Sequence, residues 1–385
     1  MVPPEAEETA SISGSQCVSV TSTTSALPAP PASGISVSAA GTVELTANSS
    51  SGGGGFVIHQ EMTGLEEGIR ERRMTATIGR VEKMLHHIGK MILTIFLTTV
   101  MIFITIMDIF GNTLVILSIL RNKKLRNAGN VFVISLSSAD LMVGLYSYPL
   151  ISIATFCNKW ILGDLQCKIS GVIHTLSFIV SVYNIMAIAI NRYCCICHSL
   201  IYDRVYSMKN TCCYVLLIWI FSIILLLPIM FFDVLQYDER VHFCAFIFAA
   251  NPSLTSTLGV IHFLIPTTIV IFCYSRIWIL VIQVKYRVRE RKRQKLKSNE
   301  VRNFLTMFAV FVLFAICWCP FSIPSLVEAL NPRGKASEFP VWLYVLGYFT
   351  ASFNNCLNGI VYGVLNKNFR QEYKRILLLC TIMLP

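Results

Sequence analysis

Two ionisable side chains lie where their neighbours are almost wholly apolar. Arg192 closes a long apolar stretch in the run Asn191-Arg192-Tyr193-Cys194-Cys195-Ile196-Cys197-His198-Ser199, and Asp140 sits in the middle of another. A charge beside hydrocarbon costs about 3 kcal/mol or more, so a chain that keeps one there uses it. The chemistry open to such groups is the making and breaking of ionic and hydrogen-bonded contacts, or the holding of a proton or small cation. Asp140 reads as the only acid well inside an apolar stretch, which leaves no carboxylate pair for acid–base catalysis. Tyr274 and Tyr362 lie at the depth of Arg192 in two further stretches, and together with it they form an inner polar constellation. Asn112, Ser181, Asn354, Asn355 and Asn358 lie at depths that can converge on Asp140. That cluster reads either as a sodium- or proton-sensitive site that reorganises, or as an interhelical hydrogen-bond network; both uses are compatible.

The elements that hold these residues follow from composition. Of 385 residues 54% are hydrophobic and only 14% charged, too little charge for the surface of a soluble protein this size. The apolar residues fall in blocks near 91–120, 129–151, 166–192, 211–232, 253–284, 302–330 and 340–364, with an amphipathic piece at 367–378. Each block can cross about 30 Å of hydrocarbon, and a lipid-embedded backbone must be helical to satisfy its own hydrogen bonds. The fold expected is an all-α membrane protein: a seven-helix transmembrane bundle with a short amphipathic eighth helix. Pro228, Pro266, Pro320 and Pro324 fall inside spans, where proline kinks a helix. In Phe314-Ala315-Ile316-Cys317-Trp318-Cys319-Pro320 the kink stands beside a Trp that can swing as the lower helix moves.

The net charge of +11 is distributed as topology rather than as a nucleic-acid footprint. Arg121 to Arg126, Arg204 and Lys209, Lys285 to Lys297, and Lys367 to Arg375 all fall on one side, which the positive-inside rule makes cytoplasmic, with anionic lipid as their partner. The expected location is the plasma membrane, multi-pass, with the N-terminus outside and span one as signal anchor. Arg70, Arg72, Arg73, Arg80, Lys83 and Lys90 resist this assignment by preceding span one. Residues 1–88 are read as a disordered extracellular tail, Ser-, Thr-, Gly- and Pro-rich over its first 55 residues. A long tail and a start placed too far upstream are both open. Residues 89–378 form the bundle with its eighth helix, and 379–385 a short cytoplasmic tail. Asn48 opens a glycosylation sequon. Of 14 cysteines, Cys167 and Cys244 lie at outer positions, where a bridge can pin the loop between spans four and five. Cys380, near the inner face, is a candidate for palmitoylation.

In order along the chain, Gly111-Asn112, Ser138-Ala139-Asp140, Asn191-Arg192-Tyr193, Trp219, Pro266, Phe314 to Pro320 and Asn358 to Tyr362 resemble the rhodopsin-like, class A G-protein-coupled receptors over residues 91 to about 378. Arg121 to Asn130, Ala189 to Tyr193 with Ile196 to Ser199, Arg302-Asn303-Phe304, Thr306-Met307-Phe308 and Leu365 to Tyr373 resemble the melatonin receptor family in particular. That family too has Asn before the inner Arg. A neutral Asn191 cannot ion-pair with Arg192, so Glu300 at the start of span six is expected to restrain it in the inactive state; a solvated Glu300 is the plain alternative.

The resemblance implies a ligand site in the outer half and no enzyme activity. His262, Phe246, Gly171 and Tyr348 stand where the family binds a small indole such as melatonin, an indole stacking on Phe246 and meeting His262. Other positions depart from it. Ile229 replaces a span-four Asn, Phe248 an outer-loop Gln, Ser322 a span-six Asn, Ser352 a span-seven Tyr, and His174 a span-three Met. With two polar anchors lost, melatonin binding is expected to weaken roughly 10- to 1000-fold. His174 also stands where monoamine receptors carry Asp, and span seven has no Lys for a retinal Schiff base. Two functions are carried forward. One is a receptor that activates a heterotrimeric G protein of the inhibitory class and lowers cyclic AMP. The other, resembling the family's orphan branch, binds no melatonin and modulates partner receptors as a homo- or heterodimer. No cofactor is expected beyond a sodium ion as allosteric modulator at Asp140.

Overall fold

The structure, a computed structural model, describes residues 54–247, 251–287, 298–330 and 339–383. Contacts divide the chain into units Met1–Gly79 and Arg80–Pro385. In the first, the described residues are helical. The second is built from α1 (Gly54–Arg121, whose later part it contains), α2 (Ala128–Met142), α3 (Tyr148–Cys157), α4 (Asp164–Cys197), α5 (Ser199–Val205), α6 (Met208–Phe231), α7 (Pro252–Gly259), α8 (Ile265–Arg287), α9 (Ser298–Leu330), α10 (Val341–Leu365) and α11 (Lys367–Met383). Single π-turns, Val143–Ser147 and Val260–Leu264, join α2 to α3 and α7 to α8. Spans two and five are therefore each one continuous rod with a bulge.

Local chemistry sets the ends. Asn127 caps α2 by accepting from the Asn130 amide at 3.1 Å, and Ser207 caps α6 by accepting from the Asn210 amide at 3.3 Å. Asn251 caps α7 ahead of Pro252, which fits the first helical turn. Span two stops at Asn158, whose φ of 51° is left-handed and suits an Asn after a helix. Among the described residues, six helical stretches are long and apolar enough to cross a membrane: 68–121, 128–157, 164–197, 208–231, 252–283 and 304–327. The 25-residue α10 completes the bundle; Ser352, Asn354, Asn355 and Asn358 make it less apolar than the other six.

Helix α4 runs through the middle, against α2, α6, α8 and α9, while α10 lies along α9. The largest core cluster joins Phe132, Leu136, Ile188, Ala189, Tyr274, Phe304, Phe314 and Tyr362 at the inner half. Spans one and seven meet backbone to backbone: a Cβ on Gly359 would come within 2.7 Å of the Gly111 Cα. Outside, a hairpin of β1 (Leu235–Asp238) and β2 (Phe243–Phe246) pairs Tyr237 with Cys244. The Cys167–Cys244 disulfide, with Cα atoms 5.3 Å apart, fastens it to α4.

Two boundaries move. Residues 54–88, grouped with the tail on composition, are helical as the start of α1; from residue 56 they contain no proline and have few stretches without an apolar residue. The amphipathic helix continues to Met383 rather than ending at 378, because Leu377, Leu378 and Ile382 extend its apolar face and Pro is met only at 385. Asn48 and Phe248 lie outside the described residues, as does the Glu300 side chain.

Candidate functional site

At the inner end of α4, Arg192 is 5% exposed and its Nη2 donates to Asn191 Oδ1 at 2.7 Å. Asn191 in turn donates from Nδ2 to the Tyr202 hydroxyl of α5 at 3.3 Å. The restraint expected from Glu300 falls on a side chain outside the described residues, while the neutral amide itself does meet the guanidinium. It does so with a hydrogen bond instead of an ion pair. Gly129 of α2 makes the space: a Cβ there would run into Arg192 Nη2 and come within 2.9 Å of Asn191 Oδ1. Tyr274 and Tyr362 are buried within electrostatic reach of Arg192, and neither hydroxyl has a hydrogen-bond partner among the described residues. Tyr193 points elsewhere, its hydroxyl 3.0 Å from His198 Nε2. The inner constellation expected from sequence is thus brought together, joined by Gly129 of the Arg121 to Asn130 segment and by Tyr202, which no motif pointed to.

Midway through the bundle the polar residues form two groups. In one, Asp140 accepts from Asn358 Nδ2 at 2.7 Å and from Ser181 Oγ at 3.4 Å. In the other, Asn112 Nδ2 donates to Asp108 Oδ1 at 2.6 Å and to the Asn355 carbonyl at 3.1 Å. Asn355 Nδ2 then donates to the Tyr148 hydroxyl at 2.9 Å. Asn112 and Asn355 therefore do not bond Asp140, and Asn354 lines the small cavity above it together with Ser181, His174, Phe178 and Trp318. Asp140 is not the only acid inside a span. Asp108 is fully buried in α1, four residues before Asn112 and so on the same helix face. Its Oδ2 rests in the notch left by Gly144 at the π-turn, where a Cβ would approach Asp108 Cγ to 3.1 Å. The i, i+4 spacing of Asp108 and Asn112 was the available signal.

The outer pocket also has two sides. Ile229 is buried in an apolar cluster with Ile179, Tyr183, Leu226 and Leu235, against which Phe246 packs. His262 stands edge-on to Tyr183 with ring centroids 6.4 Å apart, at the π-turn of span five, and neither of its ring nitrogens has a partner among the described residues. On the other side His174 packs against Tyr148, Phe243 and Tyr348 at 6.2, 5.6 and 5.9 Å between centroids. The Tyr348 and Ser352 hydroxyls approach one another without reaching hydrogen-bond geometry. Trp318 leans on Phe178 at 4.3 Å. Gly171 lets the hairpin settle on α4, since a Cβ there would lie 2.5 Å from the Cys244 carbonyl oxygen. The pocket floor is thus aromatic, its hydrogen-bonding groups lie on spans three, five and seven, and span four contributes a hydrocarbon surface.

Seven helices, an Arg at the inner end of the third, a buried Asp in the second and a disulfide-pinned lid define a class. The sequence model of the 7 transmembrane receptor (rhodopsin family) matches residues 111–362, and squid rhodopsin has the same fold, with a TM-score of 0.65 at 22% identity over 75% of this chain and 87% of its own. The protein is a rhodopsin-like G-protein-coupled receptor, not an enzyme. Melatonin receptor type 1C of Gallus gallus is 55% identical over 283 residues, 74% of this chain and 82% of the relative. Melatonin receptor type 1A of Phodopus sungorus is 54% identical over 281 residues, 73% and 80% of the two chains. Within the class, the chain belongs to the melatonin receptor family.

Proposed function

We propose that this receptor answers a small neutral ligand in its outer pocket by activating an inhibitory-class heterotrimeric G protein and lowering cyclic AMP. The observation that carries the reading is Arg192 bonded to the neutral amide of Asn191, in a notch at Gly129, with two phenols within reach that have no partner among the described residues. A ligand seated between spans three, five, six and seven would press Trp318 off Phe178 and swing the inner half of α9 outward about the Pro320 kink. Arg192 would then exchange Asn191 for the G protein, a shift between two bundle states rather than a new fold. Glu300 is proposed to hold Arg192 in the closed state. The oxygens of Asp140, Ser181 and Asn354 suit a sodium ion, which prefers hard oxygen donors, as a modulator of the closed state. In the plasma membrane the N-terminus faces outward, Asn48 is a glycan acceptor and Cys380 an acylation site.

Radiolabelled melatonin-analogue binding and forskolin-raised cyclic AMP in cells expressing the chain test the reading. Specific binding with a pertussis-toxin-sensitive fall in cyclic AMP is the expected result. The sealed cluster around Ile229 favours a second reading, in which the chain binds no melatonin and modulates a partner receptor. Binding that appears only in the Ile229→Asn/Phe248→Gln variant would discard melatonin as agonist and leave that second reading standing.

A further inference from the structure

Between Val81 and Lys90 every residue of α1 is exposed. A lone helical stretch of this length is marginal in water, and Gly89 weakens it further. Its apolar residues are not scattered. Val81, Leu85, Ile88, Ile92, Ile95 and Ile102, with Thr99 between the last two, follow one another at alternating intervals of four and three, and all six are exposed. In the sequence the same alternation continues upstream at Ile78 and Met74. At about 100° per residue, Arg80, Lys83, His86, His87 and Lys90 fall on the opposite face.

Lipid accounts for apolar side chains from Ile92 onward. It does not account for a stripe that keeps the same line for a further three turns beyond the span. A repeat of 3.5 residues is the signature of a helix paired with another helix. The stretch cannot fold down onto the bilayer surface, because α1 passes Lys90 and Met91 without a break or a proline. Two copies in one membrane are necessarily parallel and level. Residue 85 of one then faces residue 85 of the other, and the stripe is its own complement, as a two-fold contact requires. Pairing along it also leaves the five basic side chains on the outer faces, away from their counterparts.

We propose that α1 pairs with α1 of a second copy of this chain in a parallel coiled coil, seamed by Val81, Leu85 and Ile88 and continuing into the membrane through Ile92 and Ile95. Single cysteines at each position from 80 to 90, in the full chain carrying Cys17→Ser, test this by mild oxidation of intact cells and non-reducing electrophoresis. The expected pattern is dimer trapped at 81, 85 and 88 at least five-fold more than at 83, 87 or 90. A flat pattern, a maximum on the basic face, or no trapped dimer would overturn the proposal. Energy transfer between tagged copies supplies the second measurement, and it is expected to fall by more than half for Leu85→Asp/Ile88→Asp. Leu85 and Ile88 are both exposed, so surface level should hold. Unchanged transfer at equal surface level would also overturn it, and would assign the stripe to lipid.

Discussion

At the scale of single residues, the hydrogen bond from Arg192 to Asn191 goes to a neutral acceptor in a place built for a guanidinium. Such a bond contributes about 0.5–1.5 kcal/mol, against about 1.5–3 for one to a charged acceptor. Asn191→Asp would therefore deepen the closed state by about 1 kcal/mol, roughly a fivefold change in population. Basal cyclic AMP suppression should fall accordingly, and a variant with unchanged basal activity would remove Asn191 from the switch. Gly129→Ala should act in the opposite sense, since its methyl takes the guanidinium's place.

The elements were largely open to reading from sequence, because an apolar run that must cross hydrocarbon has only one backbone solution. The disulfide was readable for a related reason, being the pair of cysteines expected on the oxidising side. What sequence did not give were contacts that depend on helix rotation. Asp108 faces Asn112 and Gly144 instead of lipid, and Asn112 serves Asp108 rather than Asp140, through the angular phase of α1 and a π-turn that hydropathy does not encode. At the hairpin, His242 sits at φ 58° beside Asp238 and Glu239. Burial holds its imidazole below the ordinary 6.5, with the two carboxylates pulling partly back. A group with a lowered folded pKa lends stability above its unfolded value, and that stability is lost as pH falls through 6.5 toward the folded value. A nitroxide at Tyr237 should therefore become more mobile at pH 5 than at pH 7.5. His242→Asn, which tolerates the left-handed backbone, should flatten the difference; an unaltered slope would assign the effect elsewhere.

For the molecule as a whole, closure of the bundle rests on the glycine seam between spans one and seven. No side chain separates Gly111 from Gly359, so a branched residue must push two rods apart. Overpacking of this kind costs about 1–3 kcal/mol, and Gly359→Val should lower the melting midpoint in detergent and the yield at the surface. The loss should extend to the Asn112 bond with the Asn355 carbonyl, which spans the same seam. A wild-type melting curve would show that the two helices are not locked there. Helix α11 is held separately: Glu372, 3% exposed, accepts from Asn122 Nδ2 at 3.1 Å and lies 3.9 Å from Arg121.

The two π-turns bear on how this pocket can be compared and how it can change. Each adds one residue to its rod, so everything on the outer side is turned by about 100° relative to an unbulged helix. Tyr148 and His262 owe their aim to that turn. Counting positions outward from Asp140 or inward from Val260 in a receptor without the bulge would pair residues that face different ways. Evolution can likewise re-aim a whole pocket wall here by losing a single codon, with every side chain in it conserved.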